Sequence, residues 1–334
     1  MKHSETVYTL RRIAPLAFWI VVFGLAGDLL AGLFGAFLGI LIAVIWTICA
    51  LAGADRYAVY FHNGRPLNRI EAPNLHEMVE ELAANAGIEQ PVLYALPFNE
   101  PNIVVCDGFK KGARSRIGLT RGLTLALERD EVYTLLGLAI ARIVTGEASA
   151  VSTSTTASGL LMQFASSSVV NFTIRDWIQI DPECGLTPIG KAILLILAPA
   201  AWLTNRLGFP WAGCLEADAV GARLVKNNEL LARTLEKIAD ATPAPELGST
   251  AGFNPGTAPA FLISPFEGTL GIESGVIERP FWQKARLWIA LQTPSARKRA
   301  GLLLGSPLPE YDDLVDRYAV PRSSPEHVTW PPVG

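Results

Sequence analysis

The sequence predicts an α+β protein, mostly helical, that is integral to a membrane. It is expected to carry one N-terminal transmembrane hairpin, a second hairpin in mid-chain, and a cytoplasmic domain with a small sheet. Three observations lead there. Residues 13–54 contain one charge, Asp28. Val132, Leu135, Leu136, Ala139, Ile140, Ile143 and Val144 recur at helical spacing. Short β-type runs broken by Pro, Asn and Gly lie between residues 91 and 119.

Composition agrees with a membrane protein. The 334 residues are 50% hydrophobic and 18% charged, with a mean hydropathy of +0.30, more apolar than an ordinary soluble domain. With a net charge of −3, nothing points to nucleic acid. Cys49, Cys106, Cys184 and Cys214 are widely scattered and form no CxxC pair. They read as small buried hydrophobes in a reducing compartment.

Residues 13–27 and 29–54 are charge-free. A bilayer core needs about 20 apolar residues per helix, so two spans meet near Asp28–Gly32. A second long span directly after the first argues against a signal peptide. Gly32, Gly35 and Gly39 suit close hairpin packing. Lys2, Arg11 and Arg12 flank one end and Arg56, Arg65 and Arg69 the other, which places both termini and the soluble domain on the cytoplasmic side of the inner (plasma) membrane. Residues 148–174 and 192–205 are also uncharged and predict the second hairpin. The first is rich in Ser and Thr, and the second contains Pro199. Arg175, Asp176, Asp181 and Glu183 fall between them, an acid-leaning loop for the far side. Lys191 and Arg206 are placed to snorkel.

In the soluble part, Asn74 is the expected N-cap of a helix, with Glu77 completing a capping box and Gly87 ending it. His76-Glu77 reads as part of that cap, since residue 80 is Glu. Residues 91–96, 102–106 and 116–119 read as strands. A helix over 121–127 leads into the central helix. Further helices are expected at 215–227, 230–241, 279–291 and 297–304. Residues 242–276, rich in Pro, Gly and Thr, read as a surface excursion, and the tail from Ser306 as extended. The organisation is therefore 1–55 hairpin, 56–147 and 207–305 the two halves of one domain, 148–206 the second hairpin, and 306–334 a Pro-rich tail.

The order of several segments resembles the HtpX-like membrane zinc metalloproteases over residues 10–305. The segments are Ala72-Pro73-Asn74-Leu75-His76-Glu77, Ala86-Gly87-Ile88, Pro101-Asn102, Thr120-Arg121-Gly122-Leu123, the helix opening at Asp130-Glu131, Ala217-Asp218-Ala219-Val220-Gly221-Ala222, and Thr293-Pro294-Ser295 followed by Arg299. The resemblance implies a zincin-like domain. It also implies zinc held by two His of a His-Glu-x-x-His helix and a Glu on a later helix, with the motif Glu activating water. Leu138, Ala139 and Arg142 stand at the three motif positions, and Cys214 at the third ligand.

Leu and Ala have no lone pair, and Arg has no acceptor. A single Cys does not hold catalytic zinc, which takes three protein ligands. His3, His62, His76 and His327 fall outside the expected core elements. The expectation from these residues is a pseudoenzyme with its zinc lost and no cofactor. Arg142 would replace the metal's charge, paired with Asp218 and, second, with Glu147 or Glu216. The implied partners are the lipid bilayer and membrane-protein clients or a partner protease, in membrane-protein quality control. The strand at 101–106 would offer its edge to an extended peptide. An active zinc metalloendopeptidase with unconventional ligands and a structural membrane scaffold are the alternatives.

Overall fold

The computed structural model describes residues 2–108, 114–166, 188–209, 211–242, 254–267 and 281–305. The first helix, α1 (Lys2–Gly53), is broken at Ala31 and at Gly32, where φ is +60°. Glycine adopts that backbone region at no steric cost, so the chain reverses there. The two arms lie backbone to backbone: a methyl at Gly27 would fall 2.0 Å from the Gly35 carbonyl oxygen. Ala17–Gly53 is long and apolar enough to cross a membrane.

After α2 (Tyr57–Phe61) come β1 (Arg65–Pro66), α3 (Pro73–Asn85), β2 (Val92–Leu96), β3 (Ile103–Cys106) and β4 (Arg116–Thr120). The sheet order is β1-β2-β4-β3, with β2 and β4 parallel and the other pairs antiparallel. Strand β1 is too short to read from sequence. Helix α3 starts two residues earlier than expected. Pro73 sits in its first turn, Ala72 is the N-cap, and no side chain caps it. Pro suits that position because its missing N–H has no partner there anyway. His76 instead bonds the Leu67 carbonyl oxygen through Nε2 at 2.9 Å.

Next are α4 (Arg121–Ala126), α5 (Arg129–Val144) and α6 (Glu147–Ser166). Glu128 and Glu131 form a capping box at the start of α5. Gly146, with φ +75°, turns the chain by 83° between α5 and α6. Then follow α7 (Pro188–Gly208), α8 (Trp211–Val225), α9 (Asn228–Ala241), a 3-10 helix (Pro255–Ala260), α10 (Phe281–Ala290) and α11 (Ala296–Gly305). Asn227 caps α9 by accepting from the Leu230 amide. The main apolar core joins α3, the sheet, α5, α8, α9 and α11.

The Ser/Thr-rich helix α6 is embedded in protein. Residues 148–159 are buried, and Thr153, Thr155 and Thr156 donate to carbonyls a turn back. Ser158 Oγ bonds Asn205 Oδ1 at 2.7 Å and the Gly256 carbonyl oxygen at 2.8 Å. Among the described residues, α6 passes as a span by length and composition only when joined to α5 across the bend. The loop at 175–183 lies outside the described residues, as does the tail from Ser306.

One expectation fails outright. Residues 254–267 are no surface excursion. Phe261, Leu262 and Ile263 are buried against the sheet, because their apolar side chains and their backbone both find partners there.

Candidate functional site: the α5–α8 cleft

Helices α5 and α8 cross closely because glycines face each other's side chains. A methyl at Gly137 would meet Val225 Cγ1 at 2.3 Å, and one at Gly221 would meet Leu138 Cα at 3.0 Å. Leu138 and Ala139 are fully buried in the main apolar core. Arg142 is one turn further along α5 and is also buried, at 3% exposure.

The Arg142 guanidinium has three partners. Nε donates to Glu147 Oε2 at 2.7 Å, Nη1 to the Phe261 carbonyl oxygen at 3.0 Å, and Nη2 to the Pro259 carbonyl oxygen at 3.0 Å. Glu147 is the first residue of α6, so the bend at Gly146 brings its carboxylate back onto α5. The expected Arg142–Asp218 pair does not form. Asp218 is taken by Arg299 of α11, in a two-pronged pair with Nε–Oδ2 at 2.9 Å and Nη2–Oδ1 at 2.6 Å. Arg299 also donates through Nη1 to the Leu262 carbonyl oxygen at 2.5 Å. Glu216, the other second choice, lies half-buried on α8. Burial works against the Arg299 charge, but Asp218 outweighs it, and the guanidinium pKa stands above its usual value. A planar fork suits this geometry, since it matches carboxylate and carbonyl acceptors together.

Both arginines grip one segment. Residues 259–263 run along the edge of β3, with Val104 bridged antiparallel to Phe261. The Leu262 amide donates to the Ile103 carbonyl oxygen at 2.8 Å. Asn102 Nδ2 donates to the Ile263 carbonyl oxygen at 2.7 Å, and Asn102 Oδ1 accepts from the Ile263 amide at 3.3 Å. Arg142, Arg299 and Asn102 thus hold the carbonyls of Pro259, Phe261, Leu262 and Ile263. The β3 edge expected to be open to a peptide is occupied by the chain itself. His62 lies under this strap, with Nε2 3.0 Å from Thr257 Oγ1 and its ring against Phe261 and Phe98. Burial pushes its imidazole down to about 4. His62 is therefore a core residue, contrary to expectation.

Zinc does not fit the donor set at these positions. Leu138 and Ala139 offer no donor atom and Arg142 no lone pair. Burial pushes the Cys214 thiol pKa up, against the thiolate that would ligate. Among the described residues, no group of three His, Cys, Asp or Glu stands placed to hold a metal. No hydrolytic step through a metal follows from this donor set. The side chains of His3, His327 and Cys184 lie outside the described residues.

Sequence reasoning named Arg299 only as part of a family-like segment, gave it no role at the site, and missed the strap. Arg299 was detectable: Ala296, Ala300 and Leu303 are buried with it, so its spacing puts a charge on an apolar helix face. The strap had no such signal, because Pro, Gly and Thr are as common in loops as in an irregular buried segment.

The sequence matches the profile of Peptidase family M48 over residues 69–278. This chain belongs to peptidase family M48. It is 29% identical over 270 residues to a protease HtpX homolog of Persephonella marina, covering 79% of this chain and 90% of that protein. A protease HtpX homolog of Syntrophobacter fumaroxidans is 25% identical over 272 residues, covering 79% and 90%. One of Thermococcus kodakarensis is 28% identical over 248 residues, covering 72% and 81%. No solved structure matches. The chain is a membrane protein of the HtpX-like M48 type. That membership corrects the expectation of a non-enzyme: the relatives are named proteases, and the M48 profile spans the cleft from β2 to the strap.

Proposed function

We propose that this M48-family membrane protein handles polypeptide segments of other membrane proteins, in membrane-protein quality control, and that its cleft grips them by the peptide backbone. The supporting observation is the strap. Arg142 and Arg299 donate to three carbonyls of residues 259–262, while β3 pairs with the same segment. An edge strand with aligned donors is the usual means of holding an extended peptide. A client segment takes the strap's place on β3, with Arg142 and Arg299 supplying the donors. In this reading Arg142, with Glu147, carries the positive charge at the family's zinc position, and Asp218 is held by Arg299. The chain is further read as multi-pass in the inner membrane, with the α5–α8 domain cytoplasmic, on the strength of its flanking Lys and Arg residues.

The test uses the full-length protein in vesicles and a synthetic apolar peptide carrying a photo-crosslinker. Phe261→Ala loosens the strap while leaving both arginines in place. The expected result is several-fold more crosslinking of the variant than of wild type, mapped to residues 102–106. Equal crosslinking, or crosslinks mapped elsewhere, overturns the reading. Peptide cleavage with and without chelator, and the zinc content per chain, are measured on the same samples. One tightly held zinc per chain would overturn the assignment of Arg142 to the metal's place.

A further inference from the structure

Five tryptophans and one short helix form a continuous collar where the domain meets α1. Ala285 and Ile289 of α10 share one apolar cluster with Trp19 and Trp46 of the two α1 arms. Trp288 of α10 stacks on Trp202 of α7, with ring centroids 4.7 Å apart and planes 4° from parallel. The Trp202 carbonyl oxygen accepts from Gln292 Nε2 at 3.0 Å, and the Gln292 carbonyl oxygen accepts from Trp211 Nε1 at 2.9 Å. Lys298 Nζ lies 4.4 Å over the Trp211 ring.

The outer side of this collar is apolar and, among the described residues, uncovered. Phe281 is 72% exposed and Trp288 46%. Helix α10 carries Lys284 and Arg286 and no acidic residue. Aromatic rings and basic residues without acids are the composition of a helix lying in a bilayer interface.

Position along the hairpin fixes the depth. A helix rises about 1.5 Å per residue, so Trp19 and Trp46 lie ~20 Å from the Ala31–Gly32 break. Asp55, which pairs with Arg56 and Arg116, lies ~14 Å further out than Trp46. The hydrocarbon core is about 30 Å thick. With the break at the far interface and the Asp55 cluster in water, the collar falls inside the near leaflet, ~10 Å below its surface.

We infer that α10 is a half-inserted interfacial helix: its Phe281 and Trp288 side chains sit among the lipids of the leaflet next to the α5–α8 domain. The occupant of this face is the bilayer, because the face is continuous with the membrane hairpin through Trp19 and Trp46 and carries no acid to repel anionic headgroups. The strap cleft is then held at a fixed height over that leaflet.

Tryptophan emission of the full-length protein in vesicles tests this. The vesicles contain phosphatidylcholine brominated either near the glycerol end or near the chain terminus, and iodide is the quencher in water. Trp288→Phe is expected to lose emission that bromolipid quenches, and Phe281→Trp to gain emission of the same kind. Both substitutions keep an aromatic ring, so folding is preserved. If the emission lost or gained at either residue is quenched by iodide and spared by both bromolipids, α10 lies in water and the inference fails. The readout is independent of peptide binding, so it stands or falls apart from the function proposed above.

Discussion

The two buried clamps on the strap are built differently. Asp218 meets Arg299 with both carboxylate oxygens, whereas Glu147 meets Arg142 with Oε2 alone. Among the described residues, Glu147 Oε1 accepts no hydrogen bond. The Arg299 clamp ties α8 to α11 and the strap, two elements far apart in sequence. The Arg142 clamp ties α5 to the start of α6, five residues on, and the same strap. A buried ion pair stabilises only when its remaining hydrogen-bonding capacity is filled. By that measure the Arg299 clamp is the complete one, and the M48 cleft is held more firmly from the α8 side than from the α5 side.

Breaking the complete clamp is expected to have the largest effect. Asp218→Ala leaves Arg299 buried without a carboxylate, and arginine cannot neutralise itself by losing a proton. A loss of about 3–5 kcal/mol is expected, read as a large fall in the thermal midpoint in vesicles or detergent. A midpoint equal to wild type would show that Arg299 finds another counter-charge, and would erase the difference between the clamps.

Arg142→Ala should cost less, about 3 kcal/mol. The pair it breaks joins α5 only to the opening residue of α6, five positions on, and leaves the Arg299 clamp on the strap in place. A midpoint as low as that of Asp218→Ala would contradict the distinction.

His62 sharpens the comparison from beneath the strap. Its folded pKa of about 4 lies below the ordinary 6.5. The unfolded chain therefore binds the extra proton first as pH falls. Stability is complete above pH 6.5 and is lost between 6.5 and 4, by roughly 3 kcal/mol if His62 acts alone. Denaturation of His62→Phe across that interval should lack this component. An unchanged slope would mean that other groups carry the acid sensitivity.

The smallest effect belongs to the surface. Arg297 pairs with Asp240 at 2.7 Å, but both side chains are well exposed, and such pairs are screened by water and salt. Arg297→Ala should leave the thermal midpoint unchanged. A clear drop would place α11's outer face, as well as Arg299, among the elements that secure the strap.

Much of this molecule was legible in order along the chain. The charge-free run announced the hairpin, and its break at Ala31–Gly32 falls at the end of the expected Asp28–Gly32 junction; Gly32, expected to pack the two arms together, makes the turn instead. Strands β2, β3 and β4 appear within one residue of their expected limits, because β-type runs bounded by Pro, Asn and Gly are local signals. The family followed from the order of several short segments. What was not legible depended on long-range contact. Asn74 seemed the better cap for α3, but Pro73 already sits in the first turn. The Ser/Thr run of α6 carries no local sign that Asn205 and the Gly256 carbonyl hold its Ser158 hydroxyl.

By itself the sequence determined which atoms residues 138, 139, 142 and 214 can offer: two hydrocarbon side chains, a guanidinium and a thiol. That follows from covalent structure and needs no fold. Only the tertiary structure decided which carboxylate each arginine would meet, and that a loop-like stretch would fill the β3 edge. Partners in a buried ion pair are chosen by which elements pack against one another. Helices α8 and α11 come together through the apolar core, with Asp218 and Arg299 81 positions apart, a separation over which no local pattern in the chain carries information.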